Sequence, residues 1–434
     1  MKNSLMKEPI YIVDGVRTPF AKMGTAFAET DAVELGRVAV SELLAKTGLD
    51  PTIVEEVIIG CVAQPADAAN ISRVIALRAG IPDTATAITV HRNCASGFEA
   101  VTQAAEKIMI GRGDAFVVGG TENMSLVPLL YSNSAAKKFG LLARAKTMAQ
   151  RLGVMGSFRP QDFKPRIGLQ LGLFDPVSGL NMGQTAETVA RDFGITREMQ
   201  DQFALRSHHK AIAGRDRLAQ EITPVYLPRP RDGKLYLNED NGPRKGQTIE
   251  ALAKLRPVFE KMSGSVTAGN ASQITDGAAA MLIMSERALR ASGLTPLGRL
   301  VAYQYAGCDP SRMGLGPVYA IHKTEVKDGL GLKDADLIEI NEAFAAQVLG
   351  CQFAARDAQW CRDKLGRENA LGEIPDEILN VNGGAIALGH PVGVSGARLV
   401  LTALKELARR NQKRALVSLC VGGGQGGALW LERD

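Results

Sequence analysis

Short apolar runs alternate with longer segments of helical periodicity along most of the chain. Helical patterns fill much of the space between these runs, which is typical of an α/β protein with buried strands. The runs that predict strands are 10–15, 54–62, 114–120, 336–341 and 414–423. The hydrophobic pattern therefore predicts the α/β class.

An internal repeat divides this pattern into two related parts. Residues 95–120 align with residues 394–420: each copy opens with a small residue, Ser and Gly, continues as a helix of about four to five turns, and ends in a strand rich in Val and Ala. In the first copy, Phe98, Val101 and Ala105 fall on one helical face. The repeat predicts two similar βα halves.

A chain of 434 residues is longer than a single core normally supports, so two or more core units are expected. Residues 123–252 are rich in Met, Pro, Arg and Lys and poor in strand-like runs, which favours an inserted loop domain. We therefore predict an N-terminal half at 1–122 completed by about 253–290, a loop domain at 123–252, and a C-terminal half at 291–434.

Cysteine spacing, apolar runs and net charge exclude several classes of protein. The six cysteines are scattered, with no CxxC pair and no Cys/His cluster at zinc spacing, so we expect neither a disulfide scaffold nor a metal site. The N-terminal residues have no apolar signal region, and no apolar run approaches the ~20 residues that cross a bilayer. We expect a cytoplasmic protein. A net charge of +5 is too small to indicate nucleic acid but is compatible with an anionic small molecule.

Cys94 lies where an apolar, β-branched run turns into the first repeat helix. A helix N-terminus carries about half a positive charge and unpaired N–H groups, which lower the pKa of a cysteine there towards the thiolate. This position predicts a nucleophile. The alternative is a buried structural cysteine.

Three further polar residues lie at comparable junctions. Asn341 and Cys420 come at the ends of predicted strands, and His390 lies in a glycine-rich turn before the second repeat helix. In a fold with two similar halves, such junctions can converge on one crevice. The alternatives are a helix cap, a strand-core thiol and a turn residue. The "GGGQGG" stretch has no helix after it, so it does not predict a dinucleotide site.

The stretches "NCASG", "NEAFAAQ", "NGGAIALGHPVGVSGAR" and "CVGGGQGGA", in this order and at these separations, resemble the thiolase family. The similarity covers essentially the whole chain. It implies a thiolase fold: two pseudo-symmetric βαβαβαββ halves in a five-layer αβαβα arrangement, with an inserted loop domain. It also implies a homodimer or homotetramer.

The resemblance further implies roles for individual residues. Cys94 matches the acyl-accepting nucleophile, His390 the base that activates it, and Cys420 the second acid/base. Asn341 matches the residue that holds a water in one oxyanion hole, and the N–H groups of Cys94 and Gly422 match the other. Contacts to substrate or coenzyme A (CoA) are implied for Ser272, Met182, Phe344 and Arg231, although Asn181 stands where many thiolases have His. No metal or other cofactor is implied, because CoA is a substrate.

The activity that the resemblance implies is thiolytic cleavage of 3-ketoacyl-CoA. The long loop resembles that of β-subunits in the fatty-acid β-oxidation trifunctional complex, which favours the degradative acyltransferase. The alternatives are a biosynthetic acetyl-CoA acetyltransferase, a condensing enzyme of the ketoacyl synthase type, and a non-catalytic scaffold subunit. A condensing enzyme would need a second catalytic histidine in place of the Asn341 and Cys420 pair.

The loop includes a segment, 131–166, that predicts an interaction surface. As one helix from 137 to 155, it places Lys137, Arg144 and Arg151 on one side, beside an apolar stripe of Leu141, Ala145, Met148, Leu152 and Met155. Such a surface fits a hydratase/dehydrogenase α-subunit or peripheral contact with the inner face of a membrane. The alternative is that the stripe packs on the loop domain, with its basic residues solvated or close to CoA phosphates.

Overall fold

The computed structural model describes residues 8–231 and 233–433, except for the side chain of Arg231. The first part of the chain alternates strands and helices: β1 (Ile10–Arg17), β2 (Ala21–Lys22), α1 (Ala32–Thr47), β3 (Glu56–Gly60), α2 (Ile71–Arg78), β4 (Thr86–Val90), α3 (Ser96–Met109) and β5 (Ala115–Glu122).

The middle part is mainly helical, with short strands in pairs. It consists of β6 (Leu129–Leu130), α4 (Asn133–Arg144), α5 (Met148–Gly156), β7 (Arg166–Ile167), α6 (Gly168–Gly172), α7 (Met182–Asp192), α8 (Arg197–Ala213), α9 (Arg215–Ala219), β8 (Val225–Arg231), β9 (Lys234–Leu237) and α10 (Ile249–Ala253).

The last part returns to the sheet. It consists of β10 (Thr275–Ser285), α11 (Glu286–Ser292), β11 (Gly298–Gly307), α12 (Gly316–Asp328), β12 (Leu337–Ile340), α13 (Ala345–Arg356), α14 (Ala358–Leu365), α15 (Ala385–Leu388), α16 (Ser395–Arg410), β13 (Arg414–Val421) and β14 (Gln425–Glu432).

The large sheet is built from two similar groups of strands. The N-terminal group has the order β1-β10-β5-β3-β4, and the C-terminal group has the order β12-β13-β14-β11. The two groups meet where Ile10–Ile12 of β1 pairs with β11. Helices α1 and α2 cover the outer face of the first group, α12 covers the outer face of the second, and α3 and α16 lie between them. This is the expected five-layer αβαβα arrangement.

The central helices α3 and α16 touch through glycines at their first turns. A Cβ atom on Gly97 would lie 2.5 Å from the backbone N of Ala397, and one on Gly396 would lie 2.5 Å from the backbone N of Phe98. The repeated Ser-Gly opening therefore allows backbone-to-backbone contact between the two halves.

The two halves are not equally complete. The N-terminal half has the predicted βαβαβαββ order, but in the C-terminal half the third strand is reduced to a single bridge between Leu379 and Ile338. The Lys210 ammonium donates hydrogen bonds to the carbonyls of Asp376 (2.9 Å) and Leu379 (2.7 Å). These carbonyls are thus bound by a side chain of the loop domain and not by a neighbouring strand. The expected thiolase-type arrangement of two similar halves is confirmed, with the third strand of the second half shortened to this bridge.

The prediction of one helix from 137 to 155 is wrong. The chain breaks between α4 and α5 because Thr147 caps a new helix: its hydroxyl accepts from the Gln150 N–H, and the Gln150 side chain accepts from the Thr147 N–H. Lys137 and Arg144 therefore lie on α4, and Arg151 lies on α5. Among the described residues, no helix is long and apolar enough to cross a membrane.

Substitution of Gly97 tests the contact between the central helices. We expect Gly97→Ala to lower the free energy of unfolding by about 1–3 kcal/mol, because the methyl group has no space against the backbone of α16. The midpoint of chemical denaturation measures the change. The matched control is Gly153→Ala in the exposed α5, where a Cβ meets nothing within 4 Å. That variant should keep or gain stability, by up to about 1 kcal/mol. An unchanged midpoint for Gly97→Ala would contradict the tight contact.

Candidate active site

Cys94 lies in the tight turn between β4 and α3, directly after a residue in a left-handed conformation. Asn93 has φ of 44°, and α3 begins two residues after Cys94, at Ser96. The Ser96 hydroxyl donates to the Asn93 carbonyl at 2.7 Å and accepts from the Arg92 N–H at 2.9 Å. These bonds hold the cysteine at the start of the helix, where the sequence predicts it.

A second turn, after β13, approaches Cys94 from the C-terminal half. The backbone N–H groups of Gly422 and of Cys94 itself lie close enough to the Cys94 sulfur to act against the rise in its pKa. The Asn93 amide donates to the Gly422 carbonyl at 2.8 Å, which fixes the orientation of this turn. Met182, at the start of α7, also lies here, since a Cβ on Gly422 would be 3.2 Å from its sulfur. The structure thus brings Cys94, Gly422 and Met182 together.

Burial keeps Cys94 as a thiol. It raises the pKa of Cys94 to about 11 and outweighs the two backbone N–H donors, which favour the thiolate. The expectation that the helix N-terminus produces a resting thiolate is therefore wrong. Cys94 needs a base to remove its proton during attack.

Cys420 is fully buried in β13, two residues before Gly422. Burial, and next the neighbouring Cys94 thiol, raise the pKa of Cys420 well above its usual value. The influence of Cys94 on Cys420 indicates that the two sulfurs are near each other. A neutral thiol in this position is able to donate a proton.

His390 and Asn341 form the other part of the site. His390 Nε2 lies 3.5 Å from Asn341 Nδ2, and His390 Nδ1 lies 2.6 Å from the Ser395 hydroxyl. The Ser395 hydroxyl donates to the Pro391 carbonyl at 3.2 Å, so it accepts from Nδ1–H and leaves Nε2 without a proton. Burial, with a smaller contribution from the positive charge of Arg398, lowers the pKa of His390 to about 4. The imidazole is neutral at physiological pH and can accept a proton.

Asn341 is fully buried, and its Oδ1 atom has no hydrogen-bond partner among the described residues. Buried oxygens are normally paired, so this acceptor fits a water or a ligand donor. The position agrees with the implied oxyanion hole beside His390.

Two of the residues implied to contact CoA lie on segments that adjoin Asn341. The Ser272 N–H donates to the Ala343 carbonyl at 2.9 Å, and the Phe344 ring meets Phe259 edge-on, with centroids 6.0 Å apart. Arg231 ends β8, in the hairpin with β9, and its side chain is outside the described part of the chain.

Sequence reasoning missed three polar residues that hold the site together: Asn93, Ser395 and Glu122. Ser395 belongs to the repeated Ser-Gly motif, whose recurrence was the available signal. The left-handed conformation of Asn93 and the burial of Glu122, which is 1% exposed at the end of β5, depend on contacts distant in sequence. Local patterns do not report such contacts.

Alkylation with iodoacetamide tests the state of Cys94. Cys94 and Cys308 are the partly exposed cysteines, and burial raises the pKa of Cys308 to about 12. We expect Cys94 to be modified first and Cys308 next, at rates that rise steadily from about pH 7 to about pH 10 as thiolate forms. Peptide mass spectrometry measures each site. A plateau for Cys94 below about pH 8 would mean a resting thiolate and contradict this account.

Comparison with known proteins agrees with this arrangement. Residues 10–287 match the thiolase N-terminal domain and residues 294–433 match the thiolase C-terminal domain. The 3-ketoacyl-CoA thiolase of Pectobacterium atrosepticum is 40% identical over 426 residues, which cover 98% of this chain and 96% of that protein.

Solved structures of the same family superimpose over almost the whole chain. The Bacillus anthracis acetyl-CoA acetyltransferase has a TM-score of 0.85 and 38% identity, covering 99% of this chain and 100% of its own. Human mitochondrial 3-ketoacyl-CoA thiolase has a TM-score of 0.84 and 36% identity, with the same coverage. The chain belongs to the thiolase family.

Proposed function

We propose that this protein is an acetyl-CoA C-acyltransferase, which cleaves 3-ketoacyl-CoA with CoA to acetyl-CoA and a shortened acyl-CoA. The observation that carries this proposal is the place of the Cys94 thiol: it lies at the start of α3 beside the Gly422 turn, which the Asn93 amide holds at 2.8 Å, and close enough to Cys420 to raise the pKa of that thiol. Full-length similarity to 3-ketoacyl-CoA thiolases supports it. CoA is a substrate, and the reaction needs no further cofactor.

In the first half-reaction, the Cys94 sulfur forms a bond to the 3-keto carbon while its proton passes to His390 Nε2. The N–H groups of Cys94 and Gly422 lie at the sulfur and are placed to bind the oxyanion that forms. The C2–C3 bond then breaks, and Cys420 gives its proton to the acetyl-CoA carbanion. The products are acyl-Cys94 and acetyl-CoA, and the proton on His390 restores the Cys420 thiol.

In the second half-reaction, CoA attacks acyl-Cys94. Its thiol proton passes to His390, its sulfur takes the acyl group, and Cys94 leaves as a thiolate that regains the same proton. The neutral imidazole is suited to both steps because it holds no proton in the resting enzyme.

The alternative functions differ in substrate length or in catalysis. An acetyl-CoA acetyltransferase runs the same chemistry on the C4 substrate, and one similar structure carries that name. A scaffold subunit would not cleave any substrate. Thiolysis of a 3-ketoacyl-CoA series from C4 to C16 distinguishes these cases, because rates concentrated at C4 indicate the short-chain enzyme and absence of turnover indicates a scaffold.

The two cysteines should have separable roles. Cys420→Ser should still be acylated at Cys94 by a saturated acyl-CoA, since no carbanion forms, but should lose most thiolysis and most exchange of the acetyl-CoA methyl protons, by about 100-fold or more. Intact-protein mass spectrometry and proton exchange measure the two steps.

Cys94→Ala is the control and should lose acylation and thiolysis together. If Cys420→Ser keeps exchange but fails to acylate, the roles of the two cysteines are reversed.

We also propose that the chain forms a homo-oligomer through β4. This strand ends the sheet order, and its residues alternate between exposed and half-buried, with Ile88 39% exposed. An open strand edge offers N–H and C=O groups to a second copy. Sedimentation equilibrium checks the mass, and a monomer would contradict the proposal.

We retain the division into an N-terminal half, a loop domain at 123–252 and a C-terminal half, and propose that the loop domain binds CoA. Within it, the segment 131–166 buries only Ala135 and Asp162. Seven of its larger apolar side chains are 37–67% exposed: Tyr131, Phe139, Leu141, Met148, Leu152, Met155 and Phe163. The stripe therefore does not pack on the rest of this chain.

Charge indicates what covers this surface. The segment has eight Lys and Arg residues and one acidic residue, Asp162, which is already paired with Lys138 at 2.6 Å. Basic side chains beside exposed apolar ones suit anionic lipid head groups. We propose that the segment docks on an anionic membrane surface from the cytoplasm.

Charge reversal tests this docking. Lys137→Glu/Arg144→Glu/Arg151→Glu should reduce co-sedimentation with phosphatidylglycerol vesicles by about tenfold or more and leave thiolysis of a soluble short substrate unchanged. Salt should weaken binding of the unaltered protein, because the Debye length falls from ~10 Å at 0.1 M to ~3 Å at 1 M.

The matched control reverses three exposed lysines of the C-terminal half, Lys327, Lys333 and Lys364. Equal loss of binding in both variants would indicate a general charge effect. Unchanged lipid binding by the first variant, with lost binding to a co-expressed hydratase/dehydrogenase subunit, would identify the subunit as the partner instead.

A further inference from the structure

Glu122 is a buried carboxylate that the proposed reaction does not use. It ends β5, is 1% exposed, and accepts four hydrogen bonds. The donors are the backbone N–H groups of Val62 (3.1 Å), Ala63 (2.8 Å) and Gly393 (2.8 Å), and the Cys61 thiol (3.8 Å). Burial raises the pKa of Glu122, and these four partners oppose that rise because all of them donate to the carboxylate.

One of these four bonds, from the Gly393 N–H, connects the two halves of the molecule. Val62, Ala63 and Cys61 follow β3 in the N-terminal half, whereas Gly393 belongs to the turn between His390 and α16. The turn is closely packed there, since a Cβ on Gly393 would lie 2.9 Å from Glu122 Oε2 and 3.0 Å from the Gly60 carbonyl. Glu122 therefore helps to fasten the loop carrying His390 to the half carrying Cys94. A second bond, from the His390 N–H to the Gln273 carbonyl at 2.9 Å, holds the same loop.

We propose that Glu122 is a positioning residue that holds the His390 loop in register with Cys94, so that the imidazole receives the thiol proton. This inference rests on the proposed function, because it needs Cys94 as nucleophile and His390 as base. A loop displaced by about 1 Å is enough to slow a proton transfer by up to about 100-fold.

The negative charge of Glu122 has a second effect on Cys94. It makes the thiol harder to deprotonate, which is opposite to the help given by positioning the base. Burial and the Glu122 carboxylate both raise the pKa of Cys94. Cys94 in turn raises the pKa of Cys420. Removing the charge should make the sulfur more reactive towards a small alkylating agent. Loss of positioning should make it less reactive towards acyl-CoA, which needs the base.

The test compares both reactions of Cys94 in Glu122→Gln. We expect alkylation by iodoacetamide at about pH 7.5 to become faster, with its pH midpoint shifted downwards. Acylation by a saturated acyl-CoA should become about tenfold to 100-fold slower. Glu122→Asp keeps the charge but has a shorter reach to Gly393, so it should slow acylation and leave the alkylation midpoint in place.

The matched control is Glu187→Gln, which removes another buried carboxylate that accepts backbone N–H groups, those of Ser265 and Val266. Acylation slowed while alkylation is unchanged or faster supports the proposal. Acylation at the unaltered rate, or both reactions reduced together as in a general loss of folding, overturns it. Absence of acylation at Cys94 in the unaltered protein would instead contradict the proposed function itself.

Discussion

The site depends on the close contact of α3 and α16. Each helix opens with a Ser-Gly pair, and Gly97 and Gly396 let the first turns meet backbone to backbone. Because each helix follows the turn that carries its half's reactive residue, the same contact brings the Cys94 and His390 turns towards one another. A side chain at either glycine would push the two halves apart. The distance between the Cys94 and His390 turns therefore depends on glycine at both positions.

Burial then determines which protonation states exist in this site. The two thiols and the imidazole are all neutral at rest, because each charged form would lose its hydration. Arg398 reinforces this for His390, and it is itself paired with Glu339 at 3.0 Å. The preformed donors at the sulfur are backbone N–H groups, which do not titrate. The site therefore stabilises charge only as it develops during reaction.

The sequence pattern predicted much of this organisation, and the exceptions have physical causes. Strands rich in Val, Ile and Leu were recognised, and the repeat located both central helices. Strand β10 was not predicted because its "GAAAML" core is rich in Ala and Gly, residues that favour strand only when helices cover both faces, as α1 and α3 do here. Cys94 and His390 were recognisable from their junctions. Glu122 was not, because its burial and its bond to Gly393 depend on residues far away in the chain. Ser395 was overlooked although the Ser-Gly repeat marks it and its partners, His390 and Pro391, are close in sequence.

The difference between the two halves affects whether further copies of the protein can extend the sheet. A sheet with two equally open ends can add copies at both and continue into a fibre. Here the C-terminal end carries only the Leu379 bridge beside β12, and the Lys210 side chain already occupies the carbonyl of Leu379. Among the described strands, β4 is the full strand that remains at an open end. In the proposed homo-oligomer, self-pairing through β4 would occupy this end with the first partner, so the sheet itself would not extend into a fibre.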